Sequence, residues 1–296
     1  CYSLAIVYNN SSLEITAGSY GNGFVGYFAK EIVSSGEEAV GKIEIADDVQ
    51  YYVNKQTGEN IALAPSVPRD SLTSITIREG TTEINGYAFY YCTSLTSITI
   101  PEGVTSIGGF VFENCISLTS VSLPSTLTSI GNSAVYNCSR LTSITIPEGV
   151  TSIGSAFNRC TSLTSIIIPE GVTSISRYAF DGCSSLTSVS LPSTLTSIGG
   201  SAFDSCISLT SITIPEGVTS IGEGAFQGCS RLKAFYGDGN SYYKIVDNGR
   251  ALLVDGGETF LAYARGNTAT SYSIPEGVTS IGDSAFLGCE LTSITI

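Results

Sequence analysis

Leu209-Thr-Ser-Ile-Thr-Ile-Pro-Glu-Gly-Val-Thr-Ser-Ile-Gly-Glu-Gly-Ala-Phe-Gln-Gly-Cys229 is the stretch whose reading decides the fold. Copies recur from about Leu72 to the last residue, and the cysteine falls at positions 92, 115, 138, 160, 183, 206, 229 and 289. Successive gaps are 23, 23, 22, 23, 23, 23 and 60 residues, the last being one period lengthened by 37 residues. A fixed period in the twenties marks a solenoid, whose units can bury their apolar faces only against one another. Within the unit, Ile212 and Ile214 alternate with Ser211 and Thr213, the period of two of a strand with one buried face. Pro215 ends that strand because it has no N–H to give a ladder. Glu216-Gly217 supplies a corner. Val218 and Ile221 head a second short extended run, and Ala225-Phe226 are spaced for about one helical turn before Cys229.

Stacking such coils at the usual strand spacing, about 4.8 Å, aligns like residues into buried columns. One column holds the leucines from Leu95 to Leu209, and another the isoleucines from Ile107 to Ile221. A third holds Phe89, Phe112, Phe157, Phe180, Phe203 and Phe226, with Val135 as the small replacement. Each such side chain contributes about 1.5–3 kcal/mol on burial, so the core needs neither disulfides nor metals. The eight repeat cysteines occupy one structural position and read as small buried hydrophobes rather than disulfide partners. They contain no Cys-x-x-Cys pair of zinc spacing.

The pattern Cys-x-x-Leu-x-x-Ile-x-Ile-Pro-x-x-Val-x-x-Ile-Gly-x-x-Ala-Phe resembles the BspA-like (Treponema-type) leucine-rich repeat of bacterial surface proteins, over residues 72 to 296. The resemblance implies a leucine-rich repeat solenoid, α/β or mainly β. It has a parallel sheet on one face and short helical turns on the other. The usual asparagine of leucine-rich repeats is missing from its place, which holds Gly103, Gly149, Gly171 and Gly217, or Thr126 and Thr194. The recurring polar-capable residue is the cysteine instead.

Residues 1–70 lack the repeat and read as a β-rich N-terminal cap, with strands at Tyr2–Tyr8 and Leu13–Thr16 and a degenerate repeat at Lys42–Val49. Residues 71–296 form the array, with an insertion at about 233–272. There, Tyr242–Val246 and Arg250–Val254 flank Asp247-Asn248-Gly249 and predict a hairpin, followed by a strand at Thr259–Ala264. A longer period is also present. Val121-Ser-Leu-Pro-Ser-Thr-Leu127 recurs as Val189-Ser-Leu-Pro-Ser-Thr-Leu195, 68 residues or three units later, which implies that a three-repeat block was copied whole.

The chain contains no histidine, which removes Ser-His-Asp and Cys-His catalysis and histidine-ligated metals. Glutamates recur at one corner, among them Glu102, Glu148, Glu170 and Glu216, and read as a solvated edge rather than an acid–base pair. The expectation is a protein that is not an enzyme and uses no cofactor or metal. With 26 acidic against 13 basic residues and a net charge of −13, nucleic acid is a disfavoured partner. No run reaches the roughly 18 apolar residues of a membrane span.

The absence of catalytic residues and the family resemblance together imply a bacterial cell-surface or secreted protein that binds proteins or glycans of a host or a neighbouring cell. A structural spacer or surface-layer component is the alternative. Cys1 has one reading as a lipidated mature N-terminus. The missing initiator Met and signal peptide, and the end at Thr295-Ile296 within a repeat, point to a processed or cut product. Two places are candidates for ligand contact. One is the outward hydroxyl column of the strands, represented by Thr99, Thr145 and Thr213. The other is the aromatic cluster of the insertion, represented by Tyr242, Tyr243 and Tyr263.

Overall fold

In the computed structural model, residues 69–296 are described apart from 74, 76, 78 and 79, together with five strands between residues 6 and 63. Those five are β1 (Ile6–Asn9), β2 (Glu31–Ser34), β3 (Gly41–Ala46), β4 (Val49–Asn54) and β5 (Asn60–Leu63). The strand expected at Leu13–Thr16 lies outside the described residues. From residue 83 the coils give a two-residue strand on one face and a three-residue strand on another, except the coil at 143–153, which has only a bridge from Ser152 to Ser129. The strands are β6 (Glu83–Ile84), β7 (Ser97–Thr99), β8 (Ser106–Ile107), β9 (Ser120–Ser122), β10 (Ser129–Ile130) and β11 (Ser165–Ile167). The series continues with β12 (Ser174–Ile175), β13 (Ser188–Ser190), β14 (Ser197–Ile198), β15 (Ser211–Thr213), β16 (Ser220–Ile221) and β17 (Ala234–Tyr236). All pairings between coils are parallel and in register, Ser165 against Ser188 and Ser197 against Ser220 for example. The result is a parallel β-solenoid of about nine coils.

The third side of each coil carries almost no helix, and the reason is local. The expected helical turn before Cys229 is a run of i to i+3 turns, Ala225 N–H to Gly222 O and Cys229 N–H to Phe226 O. Two residues per coil sit at positive φ and stop helix propagation: Gly224 and Gly228 here, Ser201 and Ser205 one coil earlier. These turns stack, Phe203 N–H donating to Ala225 O at 2.8 Å.

Inside, the three columns are present and dry. Leu95, Leu118, Leu141, Leu163, Leu186 and Leu209 are all fully buried. Phe157, Phe180, Phe203 and Phe226 stack at 5.3–5.7 Å with planes within 6° of parallel. The cysteines do more than fill space. Each buried thiol from Cys115 to Cys229 donates to a backbone carbonyl of the preceding coil, as Cys183 Sγ does to Phe157 O at 3.1 Å and Cys206 Sγ to Phe180 O at 3.2 Å. This thiol ladder lies at a different repeat position from the glycines and threonines that hold the usual asparagine place. Threonines make a second ladder on the outside, Thr187 Oγ1 to Thr164 O and Thr196 Oγ1 to Thr173 O.

Burial pushes the thiols of Cys138, Cys160, Cys183, Cys206 and Cys229 up, Cys160 and Cys229 to about 12, so they stay protonated where an exposed thiol ionises. Among the repeat cysteines, folded protein at pH 8.5 should therefore react with a thiol reagent first at half-buried Cys289, and far more slowly at the seven buried ones. Unfolding without reductant should release eight or nine thiols. A count of one or two would show the column to be oxidised.

The insertion and the N-terminal strands are two copies of one module. In the insertion, β18 (Lys244–Val246), β19 (Ala251–Val254) and β20 (Thr259–Tyr263) form an antiparallel meander. It joins the parallel array through β22 (Ser280–Ile281), which lies between β21 (Ser271–Ser273) and β23 (Ser293–Thr295) in the chain. At the N-terminus β3, β4 and β5 form the same meander and join the array through β6. The register is shared: Tyr51 pairs Leu63 as Ala251 pairs Tyr263, and both meanders carry an irregularity one residue further on. Lys42–Val49 is therefore not a decayed repeat. Ile43 and Ile45 lie on β3, which turns back antiparallel onto β4 instead of feeding a parallel coil.

Candidate functional site

The three-residue strands expose their first and third residues and bury the second, as in β7, β9 and β11. That face is not one continuous sheet. Its strands pair two by two, β7 with β9, β11 with β13 and β15 with β17. The ladder is interrupted after each coil whose corner reads Pro-Ser-Thr, and again after the Pro-Glu-Gly coil between β9 and β11, which contributes no strand to this face. Where the strands pair, the N–H following the strand bonds the next coil: Ile100 to Ser122 O at 2.9 Å, Ile168 to Ser190 O at 3.0 Å, Ile214 to Tyr236 O at 2.8 Å. Among the described residues Leu123 and Leu191, which hold this place in the two Pro-Ser-Thr coils, make no such bond.

Hydrogen bonds at the corner set the Pro-Ser-Thr coils apart. Glu170 reaches across to the next coil, where Oε1 accepts from Ser193 N–H at 3.0 Å and Oε2 from Ser193 Oγ at 2.9 Å. Thr194 Oγ1 accepts from Gly171 N–H and donates to Val172 O. Glu102, Ser125 and Thr126 repeat the clasp in the first block. Each clasp ties the Pro-Ser-Thr corner to the preceding coil, while no ladder bond ties its strand to the following one. On the short-strand face the same coils remain zipped, β12 to β14 to β16. Coils that touch on one face and part on another enclose a wedge.

Between β13 and β15 this wedge is open, with a volume of about 830 Å³. One wall is Val189, Ser190, Leu191 and Ser193; the other is Thr213, Pro215, Glu216 and Gly217, with Glu170 at the mouth. Val189 and Leu191 are only half-buried there. Hydrogen bonds from the Ser193 N–H and then its hydroxyl hold the Glu170 carboxyl below the usual carboxylate range, so it stays ionised.

Thr213 lines the wedge, and Thr145, 68 residues earlier, is its counterpart beside the first Pro-Ser-Thr coil. Thr99 is exposed on β7, opposite Ser122. The aromatic candidates of the insertion lie elsewhere, and two are withdrawn. Tyr243 is fully buried, its hydroxyl donating to Ile214 O at 2.8 Å. Tyr263 is 3 % exposed and packs edge-on to Tyr272. Neither ring can meet a ligand, because the meander uses them to dock on the last coils. Tyr242 is half-buried and its hydroxyl accepts from Ile221 N–H.

Two residues that sequence reasoning passed over flank the wedge. Ile167 on β11 is 70 % exposed and Tyr236 on β17 is 55 % exposed. Both stand in the outward column otherwise made of hydroxyl residues, Ile167 opposite Ser190 and Tyr236 opposite Thr213. The signal was present: Ile167 is a large apolar side chain in a Ser/Thr column. Tyr236 was hidden because its strand falls inside the expected insertion. A second exposed cluster lies on the turn side of the first coils, where Tyr87 stacks on Phe110 at 4.9 Å beside Tyr90 and Tyr91.

The arrangement offers shape, hydroxyls, carboxylates and apolar anchors, which are the means of binding. Among the described residues, no group of three or more His, Cys, Asp or Glu side chains is placed to hold a metal ion. Nor is any helix there long and apolar enough to cross a membrane.

A solenoid of this period and ladder chemistry defines a leucine-rich repeat protein. The sequence matches the BspA type leucine rich repeat region in six copies over residues 68–156, 154–245 and 261–296, and the chain belongs to that family. It is similar to a leucine rich cell surface protein from Faecalibacterium prausnitzii, with 29% identity and a TM-score of 0.68 over 88% of this chain and 78% of that one. It shares its fold with a leucine-rich repeat protein from Bacteroides ovatus, at 22% identity and a TM-score of 0.51 over 86% and 88% of the two chains. The pneumococcal vaccine antigen PcpA shows the same fold at 19% identity and a TM-score of 0.51, over 87% of this chain and 65% of that one. No curated protein matches the chain.

Proposed function

We propose that this is a non-enzymatic bacterial protein of the cell surface or the extracellular space that binds a protein or glycan ligand on its three-residue-strand face. The wedge between β13 and β15 carries the reading, since a passive spacer needs no opening in its ladder. The similar F. prausnitzii chain, a cell surface protein, supports the location. Thr213 and Ser190 provide hydrogen-bonding hydroxyls at the rim, and Val189 and Leu191 an apolar floor, the usual composition of a binding cleft.

The test is a panel of host matrix proteins and glycans offered to the immobilised protein, with Thr213→Arg as the blocking variant. Thr213 is exposed, so its replacement should leave the melting temperature unchanged. Affinity for the wedge ligand should fall at least tenfold, about 1.4 kcal/mol. A panel with no binder, or binders indifferent to Thr213→Arg, would favour the spacer.

A further inference from the structure

We infer that the wedge and its two flanking anchors receive an extended polypeptide segment carrying a basic residue with an apolar residue two positions to either side. This rests on the reading of the face as a binding surface and specifies its partner. The geometry begins with the outward column Ile167, Ser190, Thr213, Tyr236, one residue from each of four successive strands. The apolar members are the outermost two, three strand steps apart, which is at least about 14 Å. An extended chain rises about 3.4 Å per residue and turns alternate side chains to the same side. Its residues i and i+4 are therefore spaced to meet Ile167 and Tyr236, while residue i+2 faces the opening between Ser190 and Thr213.

The chemistry of the opening selects that middle residue. Glu170 and Glu216 line it and no lysine or arginine does, in a chain of net charge −13. A lysine or arginine would pair its head with the carboxylates and lay its aliphatic stem along half-buried Val189 and Leu191. The clasp from Ser193 fixes the Glu170 carboxylate in place before any ligand arrives, so little ordering remains to be done on binding.

The dimensions select a segment over a folded surface. The strands of this face are three residues long, about 10 Å, and the column spans four of them, so the patch is far below the roughly 800 Å² per partner of a standard protein interface. A glycan is the poorer occupant. The wedge lining contains no aromatic ring for a sugar to lie on, and one of the two anchors is an isoleucine.

Selection of linear nine-residue peptides from a displayed library on the intact chain tests this. The selected peptides, synthesised and measured by fluorescence anisotropy, should carry Lys or Arg at the centre and apolar residues at the second position to either side. Ile167→Ser and Tyr236→Ser should each weaken binding tenfold or more without lowering the melting temperature. The double variant Glu170→Gln, Glu216→Gln should remove most of the salt dependence of the dissociation constant between 50 and 300 mM NaCl. Failure to select any peptide, peptides lacking the pattern, or affinities indifferent to Ile167→Ser and Tyr236→Ser would each overturn the inference. If glycans alone bind, and Thr213→Arg abolishes that binding, the inference falls while the binding face stands. If Thr213→Arg affects nothing that binds, both fall.

Discussion

Ile166→Asp will unfold the middle of the solenoid, and Ile167→Asp, one residue along the same strand, will leave its melting nearly unchanged. The two side chains share β11 and point opposite ways: Ile166 is 3 % exposed and Ile167 is 70 % exposed. An aspartate at 166 would put an unpaired carboxylate among isoleucines and leucines of adjoining coils, a cost on the order of 4 kcal/mol. Whole domains are stable by about 5–15 kcal/mol, so that single change removes a large share. In a solenoid the loss reaches the neighbouring coils directly, because each coil is held only by the next. At 167 the carboxylate remains in water, and a surface replacement of this kind stays within about 0.5 kcal/mol. Thermal and urea melts followed by circular dichroism compare the pair. Equal losses would mean that the alternation of faces along β11 is wrong.

That alternation was readable because it is local. Period two within a coil and period 23 between coils name the residues that share a column, and the columns of leucine, isoleucine, phenylalanine and cysteine are buried as their spacing implies. The cysteine was readable as a small buried hydrophobe recurring at one position. Its bond to a carbonyl one coil back could not be read, since it depends on which carbonyl the stacking brings within 3.1–3.2 Å of the thiol.

What escaped was set between coils. Pro-Ser-Thr was visible twice as a variant corner, but a sequence gives no sign that Ser193 receives Glu170 from the coil before it and that the ladder to the coil after it is open. The tyrosines were misjudged for a related reason. Their density near 242–263 suggested a contact surface. Density of aromatics is equally the mark of a meander cemented to its support, and the buried bond from Tyr243 to Ile214 O decides between the two. The kinship of β3–β5 with β18–β20 was also invisible. The two share pairing register while sharing few residue types, as Tyr51-Tyr52-Val53 against Ala251-Leu252-Leu253 illustrates.

The glycine after the second strand, Gly222, carries the last expected result. Its φ is not positive, and what it meets instead is another backbone: an added Cβ would lie 2.3 Å from Gly200 N and 2.7 Å from Gly200 Cα. The same closeness recurs at Gly108, Gly131 and Gly199, where the nearest backbone atoms lie at 2.4–2.5 Å. The approach is tight because each of these N–H groups bonds the preceding coil, Gly222 to Ile198 O at 2.8 Å and Gly199 to Ile175 O at 2.8 Å. A methyl group at 222 must push two coils apart and break that bond. Overpacking costs about 1–3 kcal/mol, and an unpaired buried N–H adds about 1–3 kcal/mol. Against this, Gly→Ala returns only about 0.4–1 kcal/mol through the unfolded chain. Gly222→Ala should therefore destabilise by about 1–5 kcal/mol, centred at about 3 kcal/mol. The control is Gly277→Ala, at φ +91° with nothing within 4 Å of the new methyl, where only the left-handed backbone resists and the cost is about 1–2 kcal/mol. Chemical melts of the two variants decide the matter. A Gly222→Ala protein as stable as Gly277→Ala would mean that the coils have room to spare, and that the glycine column is a turn device.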